Sequence, residues 1–529
     1  MHILFSVLLT FVNVISIIVN FAYNLVVPQK KPDYPPIRSK ILTKSVTELV
    51  TELRNRKLTS VEIVQTYITR IKEVNPSLNA VIEDRFEQAI RDAERADTMI
   101  SSTSDENLLK LFMKYPLLGI PFTVKESCGL KGHSYVVGST FRLRERCTEE
   151  GETVTALRTA GCIPLLVSAN PEFCLSFETN TQINGRCCNP YDLSRSSAGS
   201  SGGEGALNGS GATPFGLGSD IAGSIRLPSL FCGVFGHKPT GGLVSIEGHF
   251  PISTKNPEFA FYLQLGPITR FARDLPILLG IIAGKNRDKL KFDKPMPLRD
   301  IKIHYMHGFT GINRLFYQPT AFDIKLAITR AVKCFESIGM TAVKVDIKNF
   351  DYLAEICLKA IADLDGIPSI LTQSVFKKPS KKALVGEICK SLIGHSPFTR
   401  EALAMELMQQ VIYQTSCDQT AQWREKLELL QTELLELLGD NGVLFMPSFH
   451  KPAFHHNISL FNFVGVAQMT IFNILGFPAT QIPMGLDEKG LPIGFQVIAA
   501  PYQDKLCLQI AAELEGAFGG WIPAQKHKF

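Results

Sequence analysis

The first strong pattern in the chain is a run without charge. Residues Ile3 to Val27 include no Lys, Arg, Asp or Glu. As a helix this run is about 37 Å long at ~1.5 Å per residue, enough to cross a hydrocarbon core of ~30 Å with tilt. A secretory signal fits less well. No Lys or Arg precedes the run, no A-x-A site follows it, and it exceeds the usual ~7–15 apolar residues. Its polar exceptions, Ser6, Thr10, Asn13, Ser16, Asn20 and Asn24, recur every three or four positions and so share one helix face. Residues 1–27 are expected to be a single-pass N-terminal transmembrane anchor. The polar stripe would let it hold a second helix by hydrogen bonds, giving a homodimer. Lys30, Lys31, Arg38, Lys40 and Lys44 follow the run, which favours a cytosolic body. The sequons at Asn208 and Asn457 would matter only for a luminal one.

Residues 28–44 are basic and proline-rich and read as a stiff linker. The rest, 45–529, reads as one catalytic body. Val46, Leu49, Val50 and Leu53, then Val61, Val64, Ile68 and Ile71, predict helices through about Met99. Short apolar runs at Leu117–Lys125, Gly161–Val167, Ile301–Tyr305, Ala342–Val345, Val443–Met446 and Gly494–Ala499 predict buried strands. Helical stretches alternate with such strands, so the fold class is α/β.

Composition removes several functions. Lys plus Arg is 55 and Asp plus Glu 50, a near balance that gives no basic footprint for nucleic acid. The 12 cysteines form no C-x-x-C pair, and the 11 histidines lack ligand spacing. Neither a metal site nor a dense disulfide scaffold is expected, and no cofactor is implied.

The segment Ser194 to Thr240 is rich in Gly and Ser, yet interrupted by Phe, Leu, Ile and Val. That suits a buried backbone that turns tightly. A phosphate cradle would need G-x-x-x-x-G-K-[ST], and the lysine is missing. A nucleophile elbow would need G-x-S-x-G, which Gly199 to Gly203 fits with Ser201 at its centre. His450, His455 and His456 could supply its base, but polar Arg195-Ser196-Ser197 stands where the elbow wants a buried strand.

The same segment resembles the amidase signature family more specifically. Ala198-Gly199-Ser200-Ser201-Gly202-Gly203-Glu204 is similar to that family's serine core. Gly218-Ser219-Asp220-Ile221-Ala222-Gly223-Ser224-Ile225-Arg226-Leu227-Pro228 is similar to its following signature. Gly119 to Glu126, Asn189-Pro190, Gly236 to Thr240 and Gly490 to Gln496 also match its habits, so the resemblance spans roughly 45–520. It implies an α/β/α core, with a mixed central sheet covered by helices. It also implies a Ser-cisSer-Lys triad on Ser224, Ser200 and Lys125.

The chemistry accounts for these residue types. A serine hydroxyl needs a base beside it, and a lysine can be that base only when neutral, a state that burial favours. By the resemblance, Ser200 relays the proton from Ser224 to Lys125, and Ser224 forms an acyl-enzyme. The relay then protonates the leaving amine. Backbone N–H groups of Ile221, Ala222, Gly223 and Ser224 are expected to face the oxyanion, each worth roughly 3–4 kcal/mol. Asp220 and Arg226 are expected to clamp this loop and Ser201 to support the triad. Two glycines of the family pattern are replaced, by Ala198 and Ala222. At Ala222 a positive φ would bring strain.

Within the family, the N-terminal run makes the nearest resemblance the membrane-anchored fatty-acid amide hydrolases, especially the second type. The implied substrate is a lipid amide, cleaved to fatty acid and amine at a membrane. Among the phenylalanines, Phe445, Phe449, Phe454, Phe461, Phe463, Phe472 and Phe477 are candidates to line an acyl channel. The alternatives are hydrolysis of other small amides or esters, and the glutamine amidotransferase subunit, which needs partner subunits.

Overall fold

The computed structural model describes residues 2–253, 255–310, 317–374, 379–416 and 420–525, with residues 2–9, 411–416, 420 and 421 described as backbone only. Eleven strands form one mixed sheet. In chain order they are β1 (Val81–Asp84), β2 (Pro121–Lys125), β3 (Ile163–Ser168), β4 (Phe215–Asp220), β5 (Phe235–Lys238), β6 (Gln264–Thr269), β7 (Lys302–Tyr305), β8 (Ala342–Lys344), β9 (Gly442–Met446), β10 (Ala479–Leu486) and β11 (Pro492–Ala499). Their order across the sheet is β1-β3-β2-β4-β6-β5-β10-β11-β9-β7-β8. β2 runs parallel to both β3 and β4, whereas the central strands β4, β6, β5, β10, β11 and β9 alternate in direction. Helices Phe86–Ser102, Phe322–Ser337 and Asp504–Phe518 pack on β3, on β11, and on β10 with β11.

Five further helices matter below: α1 (His2–Val26), α2 (Gly202–Gly209), α3 (Arg226–Phe231), α4 (Arg400–Ser416) and α5 (Ala467–Ile474). The helical pattern expected from residue 45 to Met99 divides into helices Val46–Arg54, Ser60–Leu78 and Phe86–Ser102, with β1 between the second and third. Capping boxes start the first two, Ser45 with Glu48 and Thr59 with Glu62. Each box satisfies N–H groups that a helix start leaves without partners.

The single-pass anchor is not shown by the structure. The N-terminal run is helical, but among the described residues no helix is long and apolar enough to cross a membrane. The polar stripe of α1 lies on the body of the same chain. Asn13 and Ser16 are buried. Asn20 Nδ2 donates to Asn462 Oδ1 at 3.1 Å, and Lys451 Nζ donates to Asn20 Oδ1. Gln318 Nε2 donates to Ser16 Oγ, and Arg195 Nη2 donates to Asn24 Oδ1 at 3.2 Å. The opposite face, Phe11, Val14, Ile18, Phe21 and Leu25, is exposed. A stripe with helical period cannot by itself say whether its partner is a neighbouring helix or the chain's own body.

Replacing both Asn20 and Asn24 by Leu should release α1 from the body. Hydrogen exchange should then rise about 10-fold or more across residues 10–26, the loss of more than one net hydrogen bond of ~1 kcal/mol each. Unchanged protection would mean that the Gln318–Ser16 bond and the apolar side contacts of Val19 and Tyr23 suffice to hold the helix.

Candidate active site

The sheet brings the chemistry together at one end. β2 and β4 are neighbouring parallel strands, with Val124 opposite Leu217, so Lys125 and Ser219 emerge side by side at their carboxyl ends. In open α/β sheets this is where ligands bind. The turn into α2 carries Ser200 and Ser201, and the turn from β4 into α3 carries Ser224.

Lys125 has no exposed surface. Its Nζ lies 2.7 Å from Ser200 Oγ and 2.9 Å from Ser219 Oγ. The Gly199–Ser200 peptide is cis. Ser201 N donates to Ser224 O at 3.2 Å, which ties the two serine turns together. Ser201 Oγ is bound to Ser219 backbone, accepting from its N–H at 3.3 Å and donating to its carbonyl at 3.2 Å. The elbow reading fails on this geometry. His455 bonds to Ser194 and Asn24, His456 to Glu178 and Leu193, and His450 has neither ring nitrogen bonded among the described residues.

Asp220 shapes the Ser224 turn. Its carboxylate accepts from Gly223 N at 2.7 Å and Ile225 N at 3.0 Å, and meets Arg226 through Nε at 3.1 Å and Nη2 at 3.0 Å. Burial alone would raise this carboxyl, but the Arg226 guanidinium holds it well below the usual carboxylate range. Arg226, itself fully buried, reaches on to Met469 O, Gln496 Oε1 and Asn473 Oδ1. The pair fixes the loop to α5 and β11. Gly223 sits at φ +107°, and a Cβ there would come within 2.7 Å of Met469 Cε, so only glycine fits. Its N–H is committed to Asp220. The N–H groups of Ile221, Ala222 and Ser224 have no protein partner among the described residues. The positive φ falls on the other replaced glycine: Ala198 adopts φ +68°, and Ala222 is not among the positive-φ residues.

The cavity in front of this turn is apolar. It has a volume of about 130 Å³, is partly open, and is lined by Ala222, Thr470, Leu358, Met405, Phe463 and Val466 among others. Of the seven candidate phenylalanines only Phe463 lines it. Phe445, Phe449, Phe454, Phe472 and Phe477 are buried in the cores, and Phe461 is more than a third exposed. The longest wall comes from α4 and from helix Leu353–Ala362.

A profile of the family described as Amidase matches residues 62–508. The chain belongs to the amidase signature family. It is a hydrolase acting on amide C–N bonds. This amidase is 38% identical over 498 residues to fatty-acid amide hydrolase 2-B of Danio rerio, which covers 93% of each chain. It is 34% identical over 491 residues to fatty-acid amide hydrolase 2 of Homo sapiens, covering 92% of this chain and 91% of that one. A solved crystal structure of amidase matches with a TM-score of 0.70 at 24% identity, over 90% of this chain and 100% of that one.

Glu204 and Ser219 belong to the quoted signatures, but nothing in the chain's pattern singles them out. Glu204 accepts from Thr123 Oγ1 at 2.5 Å and Ser168 Oγ at 2.7 Å, and so fastens the start of α2, beside Ser200, to β2 and β3. Room for its carboxylate requires Gly216, where a Cβ would lie 1.7 Å from Glu204 Oε2. Burial pushes the Glu204 carboxyl up to about 7, against the hydroxyl bonds and Lys125, which pull it down. In the unfolded chain it titrates near 4.5. Between these values the folded state holds the extra proton, so the stability this group contributes is full below about pH 4.5 and is lost as pH rises through 7. Glu204→Gln should flatten that part of the stability curve in urea titrations from pH 4.5 to 7.5. An unchanged slope would place its origin in other carboxyls.

Proposed function

We infer that this amidase hydrolyses fatty-acid amides to fatty acid and amine, with Ser224 as nucleophile and Ser200 and Lys125 as its proton relay. The observation that carries the reading is a lysine buried among hydroxyls, 2.7 Å from Ser200, together with an apolar cavity that reaches Ala222, two residues before Ser224. The proton of Ser224 Oγ passes to Ser200 Oγ as the proton of Ser200 passes to the Lys125 amine. Ser224 Oγ bonds to the carbonyl carbon, and the oxyanion meets the unpartnered N–H groups of the 221–224 turn. The same relay returns a proton to the departing nitrogen as the C–N bond breaks. Water then repeats the sequence on the acyl-enzyme. An amine leaves poorly unless protonated, which is why a relay able to act as acid is needed.

A long acyl chain suits a cavity whose only charged lining residue among the described residues is Glu406, because each buried CH₂ contributes about 0.8 kcal/mol. The substrate reading also draws on the two fatty-acid amide hydrolases reported above. The exposed row Phe11, Val14, Ile18, Phe21 and Leu25 on α1 supports attachment to a membrane, where such substrates partition.

Hydrolysis of a long-chain primary amide and of a short aromatic amide should be compared for wild type, Ser224→Ala and Lys125→Ala. The long chain should be preferred. Ser224→Ala should lose activity by about 10⁴-fold or more, and Lys125→Ala by ~10²–10⁴-fold. A preference for the short amide removes the lipid substrate. Full activity in Ser224→Ala removes the nucleophile.

A further inference from the structure

A buried histidine reaches the triad lysine through Ser219. His249 Nε2 lies 2.9 Å from Ser219 Oγ, and His249 Nδ1 lies 3.0 Å from Pro251 O. Ser219 Oγ in turn lies 2.9 Å from Lys125 Nζ. His249, Ser219, Lys125 and Ser200 thus form one buried chain of hydrogen bonds.

The direction of each bond follows from what its atoms can do. A carbonyl oxygen only accepts, so His249 Nδ1 carries the proton and donates to Pro251. Burial pushes the imidazole below its ordinary value, so the ring is neutral at working pH. Nε2 of a neutral ring with a protonated Nδ1 only accepts. The proton of Ser219 is therefore given to His249, and Ser219 can only accept from Lys125.

This matters to a neutral lysine, which has two N–H groups and one lone pair. The relay needs the lone pair aimed at the Ser200 hydroxyl. Were Ser219 free to turn its own O–H toward Nζ, it would compete for that lone pair. We propose that His249 is a positioning residue that orients the Ser219 hydroxyl, so that Ser219 takes an N–H of Lys125 and leaves its lone pair to Ser200. The proposal rests on the serine-amidase reading above.

The histidine is held firmly enough to do this. Phe250 N donates to Ser127 O at 2.9 Å, two residues beyond Lys125. The Phe250 ring meets Phe173 edge-on at 5.1 Å and lies under the Arg142 guanidinium at 3.8 Å. The loop bearing His249 is fastened to the strand end bearing Lys125, so the two move together.

The test compares two amides of different reach. Glutamine places its oxygen near the position of Nε2, so His249→Gln keeps an acceptor for Ser219. Asparagine places its amide near Nδ1, so His249→Asn keeps only the bond to Pro251. His249→Asn should lower kcat by about 10-fold or more with KM changed less than ~2-fold, and His249→Gln should recover most of the loss. On a Ser219→Ala background, His249→Asn should cost nothing further, since it acts through that hydroxyl. Equal loss in the Asn and Gln variants, or an undiminished cost without Ser219, overturns the proposal. Loss of kcat that follows a fall in melting temperature alike in both variants overturns it too. Ser224→Ala is measured beside them. If it is active, the serine-amidase reading fails. If it is dead while Asn and Gln behave alike, only the role of His249 fails.

Discussion

The site depends on keeping an amine in the interior of the protein. Lys125 has no exposed surface, and its hydrogen-bond partners are hydroxyls. An ammonium ion so placed is costly, because burial in a low-dielectric setting penalises charge. The surroundings are built around that cost. Ser200 offers a hydroxyl that can donate or accept, and Ser219 one that accepts. Glu204 ties the start of α2 to β2 and β3 through Thr123 and Ser168, so the spacing between amine and Ser200 is set by the sheet and not by a loop.

A second rigid unit holds the Ser224 turn. Asp220 and Arg226 pair bidentately without exposure and reach α5 and β11. Removing either partner would leave an uncompensated buried charge, typically worth 3–5 kcal/mol. The pair is therefore structural in its immediate effect and catalytic only through the turn it shapes. It also takes the Gly223 N–H, so the backbone donors still open to an oxyanion are those of Ile221, Ala222 and Ser224. Gly223 matters instead for its φ and for Met469, which leaves no room for a side chain.

Much of this was legible in the chain. Lys125, Ser200, Ser224, Asp220 and Arg226 stand in short signatures that survive as words, and the strand ending at Lys125 shows as an apolar run. The strands β4, β5 and β6 were not legible. They are buried on both faces yet carry Gly, Ser, His, Lys and Gln, so neither alternation nor an apolar run marks them. Gly216 in β4 has no pattern signal at all, because its reason is a carboxylate from α2. His249 was hidden for a similar cause: its partner Ser219 is 30 positions away and meets it only in the fold. The polar stripe of α1 was read correctly as a face, but its partners Gln318, Lys451 and Asn462 lie hundreds of residues away.

The account stands or falls on which oxygen carries the acyl group. The direct measurement is peptide mapping by mass spectrometry after reaction with a fluorophosphonate. The adduct should lie on Ser224, and Lys125→Ala should slow its formation while leaving its position unchanged. An adduct on Ser200 or Ser201, or one formed at full rate without Lys125, would contradict the arrangement of nucleophile and relay described here.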